Sequence, residues 1–120
     1  MRTLTAAEAG DVRHALHAAE HRTFLRFALF LGPPVGGRRH FAERLHAALG
    51  DEADDAVLIM VDVRGRGLEI VTGEQARSRL TDASCRSTAI SMATAFGAGD
   101  LAGGLLYGIA ALAAQTAARR

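Results

Sequence analysis

The sequence predicts a single α/β domain in which a small mixed β-sheet carries helices on both faces. Three observations support this prediction. Residues 56–61 form an unbroken apolar run of strand length, which is typical of a strand buried on both faces. A second short run, residues 68–72, follows a link whose two glycines and whose length suit a hairpin. An earlier apolar run, residues 23–31, is separated from these two by a helical segment.

The first segment, residues 5–21, has helical periodicity with one apolar stripe. Thr5 and Glu8 are spaced as a capping box, in which each side chain accepts a hydrogen bond from the other residue's backbone amide. At 120 residues the chain is long enough for one hydrophobic core, and no second core is expected. We therefore place this helix and a core at about residues 23–114 in one domain, residues 1–120.

The next three segments define the sheet. Residues 23–31 are apolar on both alternating sets, with only Arg26 interrupting them, so we predict an interior strand. A loop rich in glycine and proline leads to a predicted helix at residues 39–49. A strand at residues 56–62 then completes a βαβ unit, whose two strands should be parallel. The hairpin adds residues 66–72 as an antiparallel strand.

The remaining segments predict a turn and two helices. The turn covers residues 74–80, the first helix covers residues 82–96 and the second covers residues 101–114. The second helix is rich in glycine and alanine. Gly104 and Gly108 lie on one strip of it, and each destabilises a helix by up to ~1 kcal/mol relative to alanine, so we expect another element to pack closely there.

The composition argues against several classes of protein. Fourteen arginines and thirteen acidic residues leave a net charge of +1, which does not favour binding to nucleic acid or to an anionic membrane. The single cysteine, Cys85, excludes an internal disulfide and fits a reducing compartment. Residues 1–20 lack the apolar core of a signal peptide, and the apolar stretch at 101–114 is shorter than the ~20 residues of a spanning helix. We therefore expect a cytoplasmic protein without a membrane span.

Three histidines form the first candidate site. His14, His17 and His21 fall within a narrow arc of the first helix, on the side opposite its apolar stripe. His17 and His21, four residues apart, could chelate a transition metal such as zinc, with His14 completing the site. The alternative is a solvated helix face that is rich in histidine.

Three aspartates form the second candidate site. Asp62 ends a predicted strand, and Asp82 and Asp100 stand at the starts of predicted helices. In an α/β sheet the ends of strands and the starts of helices converge on one rim, where carboxylates can share a cation or position a water molecule. The alternative is that Asp82 and Asp100 only cap their helices, each contributing ~1 kcal/mol.

A group of arginines surrounds the hairpin and the turn after it. The group comprises Arg64, Arg66, Arg77 and Arg79. A cluster of arginines could recognise a carboxylate or a phosphate through bidentate contacts, and Arg66 and Arg77 are the candidate ligand-binding residues. The alternative is solvated surface charge, because acidic residues are interspersed among the arginines.

Several short motifs resemble one known family. Residues 68–83, LEIVTGEQARSRLTDA, combine a strand that ends in glycine, a short linker and a Leu-Thr-Asp that opens a helix. Residues 96–100, FGAGD, and residues 103–105, GGL, follow in the same order, and residues 19–23, AEHRT, precede the first strand. This pattern resembles TPM domains, the family that includes the thylakoid-lumen acid phosphatase type. The resemblance covers most of residues 12–114 and is closest to small actinobacterial members.

The resemblance implies a TPM-like α/β fold. For members of the phosphatase type it also implies calcium and acid phosphatase activity, with Asp82 and Asp100 involved. Two positions depart from the family. Gly65 stands where an acidic residue usually precedes the arginine of the hairpin, and Arg77 stands where a carboxylate is usual. The loss of two acids weakens both cation binding and hydrolysis. Members are also often exported or tethered to membranes, which this sequence does not predict.

Two hypotheses for function follow. The first is a non-catalytic binding or assembly module without a cofactor, which binds an unidentified protein partner or forms a homo-oligomer through its glycine- and alanine-rich last helix. The alternative is a cation-dependent hydrolase similar to acid phosphatases, which uses Asp62, Asp82 and Asp100 and takes calcium as its cofactor. The hydrolase needs these carboxylates within about 6 Å of each other around an open position, whereas the module does not.

Overall fold

The computed structural model describes residues 1–117, which contain five α-helices, three β-strands and one 3-10 helix. In chain order the elements are α1 (Ala6–Thr23), β1 (Arg26–Leu31), α2 (Arg38–Ala47), the 3-10 helix (Gly50–Asp55), β2 (Ala56–Asp62), β3 (Gly67–Thr72), α3 (Glu74–Arg77), α4 (Asp82–Gly97) and α5 (Leu101–Gln115).

The sheet has the strand order β1-β2-β3, with β2 in the centre. β1 and β2 run parallel, with Leu31 opposite Val61. β2 and β3 run antiparallel, with Ile59 opposite Ile70. Every residue of β2 is buried, as its unbroken apolar run predicts. The βαβ unit and the hairpin together confirm the predicted α/β fold with a small mixed sheet.

Helices cover both faces of the sheet. Alternate side chains of β2 point to opposite faces, and because residues 56–61 are all apolar, both faces need to be covered. On one face α1, α4 and α5 enclose the larger core. Its fully buried side chains include Val57, Ile59, Val61, Leu80, Met92, Phe96, Leu105, Ile109 and Leu112. On the other face α2 packs over a smaller core. That core consists of Ala42, Leu58, Met60 and Val71, with Ala28, Phe30, Phe41 and Leu45 packed against it.

α1 begins and ends at defined caps. The Thr5 hydroxyl accepts a hydrogen bond from the Glu8 amide at 3.1 Å, and the Glu8 carboxylate accepts one from the Thr5 amide at 2.9 Å, which confirms the capping box. The prediction that the strand would begin at residue 23 is wrong. The helix continues to Thr23, and Phe24 adopts the left-handed conformation that ends it, with φ 63°. β1 therefore begins only at Arg26.

α4 and α5 approach each other closely through glycines. A β-carbon at Gly104 would overlap the ring of Phe96, and one at Gly108 would overlap the thioether of Met92. This contact confirms the close packing that the small-residue strip predicts. Gly104 and Gly108 are therefore not available for contacts between copies, and self-association through the rest of the last helix stays a prediction.

The segment after β3, predicted as a turn, contains the short helix α3. Gly73 precedes it at a position where a β-carbon would overlap the backbone carbonyls of Ala53 and Asp54. This close approach directs the chain back against the sheet, and Ala76 and Leu80 are fully buried there. Burial of these two apolar side chains explains why the segment is ordered as a helical turn.

The remaining predicted elements agree with the structure to within two residues at each end. Across residues 1–117, none of the helices combines the length and the hydropathy that crossing a membrane requires.

Candidate functional site

Asp62 ends β2 at the carboxyl edge of the parallel pair, where α/β proteins commonly bind ligands. Its side chain is largely buried, and both of its oxygens accept hydrogen bonds from the protein itself. Oδ1 accepts from the Gly65 amide at 3.0 Å, and Oδ2 accepts from Nη2 of Arg38 at 3.2 Å. Asp62 therefore closes the turn between β2 and β3 and anchors the first residue of α2.

The Arg38 guanidinium lies over the glycines of the hairpin. A β-carbon at Gly65 would overlap the Asp62 carboxylate, and one at Gly67 would overlap the Arg38 guanidinium. Gly65, one of the two departures from the family pattern, thus makes room for this ion pair. The sequence does not single out Arg38, because its partner Asp62 lies 24 positions further along the chain and no periodicity links the two.

Asp82 and Asp100 lie at opposite ends of α4. Asp82 is the first residue of that helix, whereas Thr81 is its actual N-cap, so the prediction that Asp82 caps the helix is wrong. Asp100 does cap α5, since its Oδ1 accepts a hydrogen bond from the Gly103 amide at 2.8 Å. α4 has 16 residues and is about 24 Å long. The expectation that Asp62, Asp82 and Asp100 converge on one rim is therefore wrong.

The carboxylates do not fit the calcium ion that the family resemblance implies. Calcium takes about 6–8 oxygen ligands. Asp82 and Asp100 are separated by the length of α4, and Asp62 is engaged by Arg38 and Gly65. Within residues 1–117, no three His, Cys, Asp or Glu side chains are grouped as metal ligands. Calcium binding by Asp82 and Asp100 would require two separate sites.

The three histidines lie on the outer side of α1, as their arc predicts. His14, His17 and His21 are all exposed. They are not among any metal-binding group of three side chains in the part of the chain that the structure describes. Zinc binding at this face stays a prediction that the geometry does not favour.

The arginines around the hairpin do not form one cluster. Arg66 lies just before β3, and its Nη1 donates to the Gly97 carbonyl at 3.0 Å. Arg77 lies beyond the other end of β3, and its Nη2 donates to the Thr72 carbonyl at 2.9 Å. The six residues of β3, about 20 Å in length, separate the two side chains. The prediction that these arginines form one cluster is therefore wrong, and ligand binding by Arg66 or Arg77 alone stays a prediction.

Arg79, also placed in that group by the sequence, joins three parts of the chain. Its Nη1 donates to the Thr23 carbonyl at 2.7 Å, at the end of α1. Its Nε donates to the Ala117 carbonyl at 3.0 Å, and its own carbonyl accepts from the Ala117 amide. Arg79 therefore has a structural role, whereas Arg64 is exposed in the hairpin.

A cleft of about 510 Å³ lies along the edge of β3 that faces away from β2, between α2 and α4. We call it the β3 groove. Its volume falls within the range of about 300–1,000 Å³ that is typical of ligand pockets. It is lined by Arg39, Leu68, Glu69, Ile70, Asp82, Cys85, Arg86, Ala89 and Ile90.

The floor of the β3 groove is an open strand edge. The Gly73 amide donates to the Ala56 carbonyl at 3.0 Å, which continues the ladder between β2 and β3. Because hydrogen-bonded and non-hydrogen-bonded pairs alternate in an antiparallel ladder, the backbone groups of Val71 and Glu69 point towards β2. Those of Leu68 and Ile70 therefore point into the groove.

Side chains of arginine confirm this orientation. Nη1 of Arg39 donates to the Ile70 carbonyl at 2.9 Å, and Nη2 of Arg77 donates to the Thr72 carbonyl at 2.9 Å. Among the described residues, no hydrogen bond is formed by the amides of Leu68 and Ile70 on this edge. An edge strand with such groups is a template for pairing with another chain.

The two walls of the groove differ in chemistry. On the α2 wall, Arg39 contacts Glu43 at 3.3 Å and Glu69 at 3.5 Å. On the α4 wall, Ile90 is 70% exposed, although it is a large apolar residue. Arg86 lies one helical turn before it on the same wall. The groove therefore offers charged, apolar and backbone hydrogen-bonding groups together.

Cys85 lines the groove but is not an activated nucleophile. Its side chain is buried, and burial together with the negative charge of Asp82 raises the pKa of the thiol to about 11. The thiolate is the reactive form of cysteine, so at neutral pH Cys85 is a small apolar side chain. Cys85 therefore belongs to the buried face of α4, together with Met92 and Phe96.

The sequence contains one signal for this groove. The sequence predicts only three strands, and the middle strand belongs both to the βαβ unit and to the hairpin. The third strand, β3, must therefore lie at an edge of the sheet. The distance between α2 and α4 above that edge is a matter of tertiary packing, and no local pattern indicates it.

Comparison with known proteins places the chain in a family. A family model described as the TPM domain matches residues 1–115. The NMR structure of the BA42 protein from the psychrophilic bacterium Bizionia argentinensis is similar, with a TM-score of 0.81 and 22% identity over 99% of this chain and 88% of that one. The N-terminal domain of a protein from P. gingivalis is also similar, with a TM-score of 0.82 and 20% identity over 93% and 75% of the two chains.

A third similar structure is the N-terminal domain of the cg2496 protein from Corynebacterium glutamicum, with a TM-score of 0.77 and 14% identity over 96% of this chain and 75% of that one. Among curated proteins, none matches the sequence. At these identities the solved structures show a shared fold, and the family model covers almost all of the chain. The chain belongs to the TPM domain family.

Proposed function

We propose that this TPM domain is a non-catalytic binding module and that the β3 groove is its binding surface. The observation that carries the proposal is the open edge of β3 at the floor of a cleft of about 510 Å³. Backbone groups on an open edge pair readily with another polypeptide. The partner is therefore expected to be a protein, and no cofactor is needed.

Three features support binding rather than hydrolysis. The Asp62 carboxylate is engaged by Arg38 and Gly65, which leaves it poorly placed to act as a base. Asp82 and Asp100 are held apart by α4 and cannot act as a pair on one substrate. Activation of a nucleophile requires a neighbouring base or a lowered pKa, whereas the pKa of Cys85 is raised.

A cytoplasmic location forms part of the proposal. Cys85 is a free thiol, as is usual for proteins of reducing compartments.

Photo-cross-linking in cells of the source organism tests the proposal. A photoreactive amino acid replaces Ile90 on the rim of the groove in one variant and Tyr107 on α5 in a matched control, since both side chains are exposed. We expect position 90, and not position 107, to form an adduct with one protein. Adding Arg86→Glu should reduce the yield of that adduct. Equal labelling from both positions, or no adduct from position 90, would contradict the proposal.

A further inference from the structure

We propose that the β3 groove binds an extended segment of a partner protein as an added strand, antiparallel to β3. This inference rests on the proposed function and specifies the chemistry of the partner. The segment carries a basic, an acidic and an apolar residue at alternate positions, in that order from its N-terminus.

The backbone of β3 provides the first part of the argument. Leu68 and Ile70 direct their amides and carbonyls into the groove, at the spacing of an antiparallel ladder. The Ile70 carbonyl accepts its hydrogen bond from the side chain of Arg39, and that side chain is largely exposed. An arriving strand can replace that contact with a backbone hydrogen bond, while Arg39 keeps its ion pairs with Glu43 and Glu69.

The two walls favour a single strand over a second copy of this chain. Arg39 of α2 and Ile90 of α4 line the groove from opposite faces of the sheet. An added strand would lie between the two helices, with its side chains pointing alternately to each. A second copy would have to bring its own α2 and α4 to the same edge, whereas a single extended segment carries no flanking helices.

The direction of α4 sets the order of contacts. Arg66, just before β3, donates to the Gly97 carbonyl at the end of α4, so the two elements run in opposite directions. Asp82, Arg86 and Ile90 are four residues apart along the groove. Four helical residues advance about 6.0 Å, and two strand residues advance about 6.8 Å. Alternate side chains of an added strand therefore meet these three residues in turn.

Charge complementarity then defines the segment. A strand antiparallel to β3 meets Asp82 first, then Arg86 and finally Ile90. Within residues 1–117, neither Asp82 nor Arg86 forms an ion pair, so both charges are available. Their complements are a basic and an acidic side chain, and the complement of Ile90 is apolar. The residue between the last two points to α2, where Arg39 is already paired with Glu43 and Glu69, so this position requires no charge.

The probe is the synthetic peptide acetyl-Thr-Lys-Thr-Glu-Thr-Val-Thr-amide, titrated into the full chain labelled with ¹⁵N. At saturation we expect the amide hydrogen exchange of Leu68 and Ile70 to slow by at least ~10-fold, because both amides become hydrogen-bonded. The resonances of the exposed histidines on α1, such as His17, should not move.

A charge reversal tests the register. Arg86→Glu should weaken binding of the peptide by ~10-fold, and a peptide whose fourth residue is lysine should restore the affinity. Arg13→Glu, on the exposed side of α1, is the matched control and should leave both affinities unchanged. Both arginines are exposed, so neither change threatens the fold.

Strand addition is wrong if the peptide protects neither Leu68 nor Ile70 at millimolar concentration, or if its binding shifts resonances on another surface. It is also wrong if reversal of the fourth residue does not restore binding to Arg86→Glu. If position 90 nevertheless cross-links to a partner in cells, the proposed binding function stands and only the mode of binding fails. If neither experiment detects binding, both proposals fail.

Discussion

Gly104 on α5 lies directly against the ring of Phe96 on α4, so closely that a β-carbon on the glycine would stand 2.5 Å from the ring atom Cε1. Phe96 is fully buried. The packing of α4 on α5 therefore depends on the absence of a side chain at this position. The contact supports the wall of the β3 groove, because α4 provides that wall.

Substitution of this glycine should destabilise the protein. Gly104→Ala should lower the free energy of unfolding by about 1–3 kcal/mol, because overpacking outweighs the gain in helix propensity. Gly10→Ala in α1 is the matched control, since a β-carbon there meets nothing within 4 Å, and it should stabilise the protein by up to about 1 kcal/mol. Urea denaturation measures both values, and an equal effect at the two positions would contradict the packing described.

The Asp62 and Arg38 pair should contribute to stability. Asp62→Asn should lower the free energy of unfolding by about 1–3 kcal/mol, because it leaves the partly buried Arg38 without its acceptor. Asp11→Asn, on the exposed side of α1, should change it by no more than about 0.5 kcal/mol. Thermal denaturation of both variants checks this. Equal melting temperatures for the two variants would show that the pair contributes little.

Stability should depend on pH through Glu8. The side-chain hydrogen bond from Arg2 and the backbone amide of Thr5 lower the pKa of Glu8 from 4.5 to about 2. Because the folded pKa lies below the unfolded pKa, this carboxylate stabilises the fold above pH 4.5, and the stabilisation is lost as pH falls towards 2. Glu8→Gln should flatten the decline in stability over this range. Urea titrations at several pH values measure it, and an unchanged slope would contradict the assignment.

Cys85 should react slowly while the protein is folded. A thiol with a pKa of about 11 carries on the order of 100-fold less thiolate at neutral pH than one with a pKa of 9.0. Its burial slows access further. Alkylation with iodoacetamide, followed by mass spectrometry, should therefore be at least ~100-fold faster in concentrated urea than in native buffer. Similar rates in the two conditions would contradict the buried position.

Phe24 provides a site for stabilisation. It adopts φ 63°, a conformation that disfavours side chains, and it is 69% exposed, so its ring packs little. Phe24→Gly should raise the free energy of unfolding by about 1 kcal/mol, because glycine adopts this conformation without strain. Phe24→Ala, which retains the strain, should not. Destabilisation by both changes would indicate that the ring contributes to packing.

The apolar pattern of the sequence predicted most of the fold. The unbroken run of β2 identifies a central strand, and the capping pair Thr5 and Glu8 identifies the start of α1. The start of β1 could not be located in this way. The residues at 23–25 are as apolar as a strand, and the left-handed conformation of Phe24 has no signature in its side chain.

The candidate site was less predictable. The sequence shows Asp82 and Asp100 as similar helix starts, but only the packing of α4 shows that they lie far apart. Arg66 and Arg77 are close in sequence and are separated by β3 in space. The β3 groove depends on the spacing between α2 and α4, which is a tertiary property.

A phosphomonoesterase assay on the purified chain, with and without calcium, tests the central claim that the domain binds and does not hydrolyse. The assay compares the natural sequence with Asp62→Asn and with Asp82→Asn. We expect no turnover above the uncatalysed rate for any of the three, because the carboxylates lie apart and Asp62 is engaged by Arg38. Calcium-dependent turnover that Asp62→Asn or Asp82→Asn abolishes would contradict the account and identify the domain as a hydrolase.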